Sequence, residues 1–255
     1  HREDRTLNET IDLLHAHRSQ RSFRDTPVDP AMLDAIVRAG HHAPTSHNAQ
    51  HVSIVVVRDA ATRARIAELA CDQPHIACAP VFIGVFADFA KTEAALALHG
   101  RAQEVHRHME GLVAVAIDVG IQVATMSIAA RALGLGAVAI GGTRNALAEI
   151  NALLGLPRGC TLMNGLSVGH VDQLAHQKPR LPIETYRHDE RYAAPLFDEA
   201  IPAYDATLVA HWARIGRTDG YAWSDSMGHF YDHDYFPRVL AAFHGQGLFD
   251  ALSSD

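Results

Sequence analysis

The sequence predicts an α+β fold, and three observations carry that prediction. Runs at 52–57 and 80–87 are β-branched or continuously apolar and read as buried strands. Helical segments with capping residues lie among the strands through the first 170 residues or so, without the strict alternation of a parallel α/β sheet. That arrangement fits α+β, or a sandwich with a mixed sheet. A nearly all-apolar stretch at 112–130 supplies a central helix long enough to pack against the strands.

In chain order, Thr6-Leu-Asn-Glu9 has the spacing of a capping box and opens a first helix running to about His15. Asp29 at N-cap and Pro30 at N1 begin a second helix, closed by Gly40. A polar loop at 43–50 leads into the strand at 52–57. Asp59 caps a third helix ending near Ala70, and the strand at 80–87 follows. The stretch at 112–130 is about the length a bilayer needs. It carries Asp118, Gln122 and Thr125 on one helical face, however, and a mid-span Asp alone costs roughly 2.5–3.5 kcal/mol. With no second span to shelter that face, it reads as a helix buried in the core or at a subunit interface. A third strand at 137–140 is closed by Gly141-Gly142, Asn145 caps a short helix to Gly155, and a fourth strand covers 161–169. From Lys178 the texture changes: Pro179, Pro182 and Pro195 punctuate a loop before helical stretches at 204–215 and 235–244. The expected organisation is a core at 1–177 with an extension at 178–255 packed on it, one domain overall.

Composition narrows the function classes. The chain has 255 residues, 48% hydrophobic and 20% charged, which excludes disorder. Its formal charge of −7 argues against a general nucleic-acid binder, whose affinity rests on neutralising phosphates. An anionic ligand must therefore meet a local cluster of cations. Cys71, Cys78 and Cys160 form an odd set without a Cys-x-x-Cys pair, so neither a disulfide framework nor a zinc ribbon is indicated and a reducing cytoplasm is the expected compartment. The charged N-terminus, with no apolar stretch behind it, does not read as a signal peptide, and His1 in place of Met indicates a trimmed or incomplete start.

Four constellations bear on chemistry. In His17-Arg18-Ser19-Gln20-Arg21, two guanidiniums flank a hydroxyl and can converge on one phosphate. Cations at the end of a helix would equally complement its dipole, and the segment alone leaves the two readings even. Gly141-Gly142 lets a planar ligand lie against backbone, with Arg144 at a helix N-terminus; a glycine-rich turn with a solvated arginine is the alternative. Lys178-Pro179-Arg180 holds two cations on a stiff segment, and the loop at 43–50 is rich in hydrogen-bonding groups. The match of 134–139 to the dinucleotide fingerprint is rejected, because it follows a helix and precedes a strand. His99, His106 and His108, like His229, His233 and Asp234, lack the complement of a metal site and read as solvated.

Taken in this order, the motifs resemble the FMN-dependent nitroreductases, specifically the oxygen-insensitive major type that includes NADPH–flavin oxidoreductases. Also matching are Gln73, A-P-V-F at 79–82, L-G-L-G-x-x-x-I-G-G-x-R-N at 133–145, K-P-R-L-P at 178–182 and W-S-D at 223–225, so the resemblance spans essentially the whole chain. It implies an α/β/α sandwich with a mixed central sheet and a C-terminal helical extension, assembled as a homodimer with one FMN per subunit at the interface. On the same basis His17, Arg18, Ser19 and Arg21 look like contacts to the FMN phosphate and ribityl chain, with Arg144, Lys178 and Arg180 completing the cradle. Thr45, Ser46 and Gln73 match positions that hydrogen-bond the ring and ribityl groups, and Gly141 and Gly142 the backbone that approaches the ring. No catalytic side chain is implied, since the flavin carries the chemistry. The implied reaction is a ping-pong transfer of two electrons from NADPH or NADH to nitroaromatic, quinone or flavin acceptors, with Lys178 or Arg180 stabilising negative charge on the reduced ring. A specialised or non-enzymatic flavin protein on the same fold is the alternative.

Arg214 falls where relatives of this type grip the donor's 2′-phosphate, with Arg217 close by. Asp219, Gly220, Gly228, His229 and Phe236 stand where those relatives carry basic residues. The expectation is a weak NADPH preference with NADH also accepted.

Overall fold

The structure, a computed structural model, describes residues 8–252. The chain divides into two compact units: residues up to Ala175 together with those from Phe236 onward, and His176–Tyr235.

In the first unit, α1 (Glu9–His15) is capped by Asn8, whose side chain accepts from the Ile11 N–H at 3.0 Å. The cap is thus one residue before the helix, and the expected Thr6 lies outside the described residues. Asp29 caps α2 (Pro30–His41) as its sequence position predicts. Gly40 does not end this helix. It lies within its last turn, buried, where a Cβ would sit 2.7 Å from Met126 Cγ, so the glycine serves close helix packing. β1 (Val52–Val57) matches its prediction, and Asp59 caps α3 (Ala60–Leu69) at 2.7 Å. After the one-turn α4 (Pro74–Cys78) come β2 (Val81–Asp88), α5 (Ala90–Ala97) and the long α6 (Met109–Ala132). β3 (Gly136–Ile140), α7 (Leu147–Leu153) and β4 (Cys160–Gly169) complete the central part.

The strands order as β1-β2-β4-β3, and among the described residues every pairing is antiparallel. The α+β class holds, but the mixed sheet does not: continuous apolar runs report burial of a strand's faces and carry no information on its direction. β2 is buried along its whole length, so the sheet is covered on both sides. α6 lies against all four strands. Val115, Val119, Met126 and Ala130 face the core, whereas Val113 and Ile117 stand 44% and 57% exposed in the single chain. α6 alone is long and apolar enough to cross a membrane among the described residues. Its buried Asp118 and Gln122 fit a core helix with one open apolar face.

Asn145 does not cap α7. A 3₁₀ turn at Gly142–Ala146 precedes that helix, and the Asn145 amide donates to the Leu69 carbonyl at 3.2 Å. The last helix, α10 (Val239–Gly245), overlaps the expected stretch at 235–244, and Phe243, Leu248 and Phe249 belong to the core of the first unit.

The second unit has its own small core on α8 (Phe197–Arg214), which starts ahead of the expected 204 and runs through Pro202. Tyr204, Leu208 and Trp212 pack with Leu181, Ile215 and Trp223. α9 (Trp223–Tyr231) follows, and the W-S-D motif is an anchor: the Ser224 N–H and hydroxyl both donate to Asp205, at 3.0 and 2.5 Å.

Candidate functional site

The first group of candidates lies along and beyond β3. Beyond α1 the chain runs extended beside the strands. The Gln20 N–H donates to the Ala137 carbonyl at 3.1 Å, the Arg24 N–H donates to His170 at 2.9 Å, and Phe23 bridges Val171. Arg18 and Arg21 therefore lie beyond the helix, past its C-cap at Ala16. Arg18 is half-buried, and its Nε is buried without a hydrogen-bond partner among the described residues. Burial, and then the Arg18 charge, hold the Arg131 guanidinium below its ordinary pKa, and that guanidinium donates to the Leu13 carbonyl.

Gln73 reaches the turn after β3 through a strained backbone. Cys71 and Asp72 both adopt left-handed backbone, φ 62° and 51°, which redirects the chain after α3. The Gln73 amide then lies so close to Gly142 that a Cβ there would meet its Nε2 at 2.1 Å and the Ala70 carbonyl at 3.0 Å. Only glycine admits this approach. The Arg144 guanidinium sits beside Gly141 and over the Phe236 ring, 5.6 Å from its centroid. Gln73, Gly141, Gly142 and Arg144 are thus brought together. Arg21 adjoins them through His75, whose pKa burial and then the Arg21 charge push down to about 4. His75 is therefore neutral near pH 7 and adds no repulsion to the arginines.

That depression has a sign. The unfolded chain binds a proton at His75 below about pH 6.5, while the folded protein resists one down to about 4. His75 thus costs stability progressively as pH falls through that window and costs nothing above it. His75→Gln should gain stability relative to the parent at pH 5 but not at pH 7.5, read by urea unfolding at both.

Thr45 and Ser46 lie on a separate loop. The Thr45 hydroxyl accepts from the Gln50 N–H at 3.2 Å. The Ser46 N–H donates to both Asp118 carboxylate oxygens, at 3.0 and 3.2 Å. Asp118 lies in turn 2.8 Å from His51 Nε2, and both side chains are buried. These bonds run to α6 and within the loop itself, not to the β3 group. Gln50 and Gln122 help line a cleft of about 410 Å³ there, across which the Lys91 ammonium donates to the Gln50 and Val52 carbonyls. The sequence had shown Asp118 only as a polar face; its role as anchor depends on His51, 67 positions away.

Lys178, Arg180 and Arg214 belong to the second unit and line one cleft of about 750 Å³. α8 contributes Thr207, Ala210, His211 and Arg214, a single face by helical spacing. The Lys178 ammonium lies over the Trp212 ring at 5.4 Å. Arg217 covers the same ring at 4.6 Å and is held by Asp219 at 3.0 and 3.1 Å. Among the described residues, no three His, Cys, Asp or Glu side chains gather as a metal site.

With a four-stranded antiparallel sheet, a flanking Gly-Gly turn and clustered cations in place, comparison with known proteins identifies the class. Residues 14–170 match the nitroreductase family and residues 178–250 the nitroreductase family C-terminal domain, and the chain belongs to this family. It is 38% identical over 249 residues to the FMN reductase [NAD(P)H] of Bacillus subtilis (strain 168), covering 95% of this chain and 98% of the relative. It is 32% identical over 243 residues to the NADPH-flavin oxidoreductase of Vibrio harveyi, covering 95% and 99%. Among solved structures, the hypothetical oxidoreductase YcnD from Bacillus subtilis superimposes with a TM-score of 0.92 at 37% identity, covering 95% of this chain and 98% of that one.

Proposed function

We propose that the protein is an FMN-dependent oxidoreductase that passes two electrons from NADPH or NADH to nitroaromatic, quinone or flavin acceptors. Family membership and the names of its relatives support this reading. The observation that carries it is a buried Arg18 Nε without a hydrogen-bond partner among the described residues, on the segment bonded to β3, together with the Gly141-Gly142 turn after β3 on which the Gln73 amide lies. The donors suit a phosphate and the polar edge of a flat ring, so the residues fit the cofactor. When bound, FMN supplies the electron-carrying ring.

The side chains bind and orient. Arg18 and Arg21, with His17 and Ser19, hold the phosphate and ribityl chain. Gln73 and the Gly141-Gly142 backbone position the ring edge, and Arg144 adds positive charge. Thr45 and Ser46 present hydrogen-bonding groups from a loop tied to Asp118. The resemblance gives Lys178 and Arg180 the same ligand; within their own unit they share a cleft with Arg214, which we assign to the donor's 2′-phosphate. Arg217, engaged by Asp219 and Trp212, adds little there, in keeping with a weak NADPH preference.

The purified protein should show a flavin spectrum that NADPH or NADH bleaches in the absence of oxygen. A colourless protein would overturn the cofactor assignment. A flavin that neither donor bleaches would leave a flavin-binding protein without this activity.

A homodimer is part of the same proposal, supported by the open apolar face of α6 at Met109, Val113 and Ile117. Light scattering at micromolar concentration should give a dimer, and Ile117→Glu should shift it toward monomer. The three free cysteines support a reducing, cytoplasmic setting.

A further inference from the structure

One buried histidine in the α8 cleft has no part in the flavin reading. His211 is 5% exposed, and its Nδ1 lies 2.9 Å from Arg214 Nη2. A guanidinium only donates, so Nδ1 accepts here and the neutral ring carries its proton on Nε2. That Nε2 is buried and has no hydrogen-bond partner among the described residues. Trp212 and His176 hold the ring edge-on, with centroids at 5.3 and 6.5 Å. The charged groups facing it are of one sign: Arg214 from α8 and Lys178 from the segment before it, with Arg180 lining the same cleft and His176 as the other titratable neighbour. Burial first, then Arg214, His176 and Lys178, keep its pKa below the ordinary histidine value, so the ring stays an acceptor near pH 7.

We propose that His211 is a positioning residue for the electron donor, fixing Arg214 in the cleft and thereby setting discrimination for a ribose 2′-phosphate over a 2′-hydroxyl. This rests on the assignment of Arg214 to the donor. A free arginine must surrender rotamer freedom when it grips a phosphate; one already held by a buried acceptor has surrendered it on folding. Few cations then suffice for a measurable preference. Arg217 cannot take over, because Asp219 and the Trp212 ring occupy it.

The test compares His211→Leu, His211→Asn and Arg214→Ala as flavin-loaded full chains. Steady-state kinetics with NADPH and NADH are read beside calorimetric binding of adenosine 2′,5′-bisphosphate against AMP. Asparagine can place an acceptor oxygen where Nδ1 stands; leucine cannot. His211→Leu should move the NADPH-to-NADH ratio of kcat/KM about three- to tenfold toward NADH, through KM, and weaken the bisphosphate but not AMP. His211→Asn should recover most of both. If Arg214→Ala leaves the ratio where it was, the donor assignment falls and takes the proposal with it. If Arg214→Ala lowers the ratio but His211→Leu does not, only the positioning role is overturned. Equal losses for both donors, unrescued by asparagine, would show that His211 merely packs α8.

Discussion

Asp118→Ala should lower the unfolding free energy by about 2–6 kcal/mol, since it leaves two buried hydrogen-bonding partners unmet at about 1–3 kcal/mol each. Asp118 and His51 are 2% and 5% exposed, and their 2.8 Å contact has no solvent to replace it. The same carboxylate holds the Ser46 N–H, so alanine strands two groups, an imidazole and a backbone donor. For a chain of this size each kcal/mol moves the melting temperature by about 2–4 °C, giving a drop of roughly 4–24 °C. Removing both partners, as in His51→Leu with Asp118→Leu, should recover part of the loss, because only the Ser46 N–H is then unmet. A melting temperature within 2 °C of the parent for the single variant would show that the carboxylate is not the loop's anchor.

Arg18→Ala should loosen the flavin by about 1.5–3 kcal/mol, the range for a hydrogen bond to a charged group. That corresponds to roughly a 10- to 150-fold rise in Kd. The protein as a whole carries −7 and repels a phosphate, so attraction must come from local cations, here Arg18 and Arg21, the latter beside a neutral His75. Arg18→Lys should fall between parent and alanine, since it keeps charge but loses the planar fork. Equilibrium dialysis with flavin fluorescence measures all three. Unchanged retention in Arg18→Ala would move the phosphate away from this segment.

What the residues announced in advance follows from which signals are local. β1 was legible because β-branched runs favour strands, and α2 and α3 because Asp29 and Asp59 make the caps they promise. α5 and α9 were not, for neither has a side-chain N-cap. Asn145 looked like a cap and instead holds the end of α3, a choice decided by tertiary packing. In the candidate site, the kinds of residue were readable and their arrangement was not. The H-R-S-x-R cations were placed at a helix end, whereas an extended backbone carries them along the sheet. The Asp118–His51 tie joins positions 67 residues apart, and nothing in either neighbourhood signals the other. His211 is one of 18 histidines, distinguished only by burial and by a neighbour one helical turn on.

α6 places adjacent residues in opposite settings: Ile117 stands open to solvent, and Asp118 is sealed against the Ser46 loop. Each residue turns an α-helix by about 100°. Deleting one position early in α6 would therefore swing every later side chain by that angle. It would carry Asp118 off its loop and replace the outward apolar stripe in the same stroke. Such a helix tolerates replacement of a side chain far better than a change of length. Among descendants of this gene, insertions and deletions should accumulate in the connections on either side, such as 98–108, and leave the helix itself at constant length.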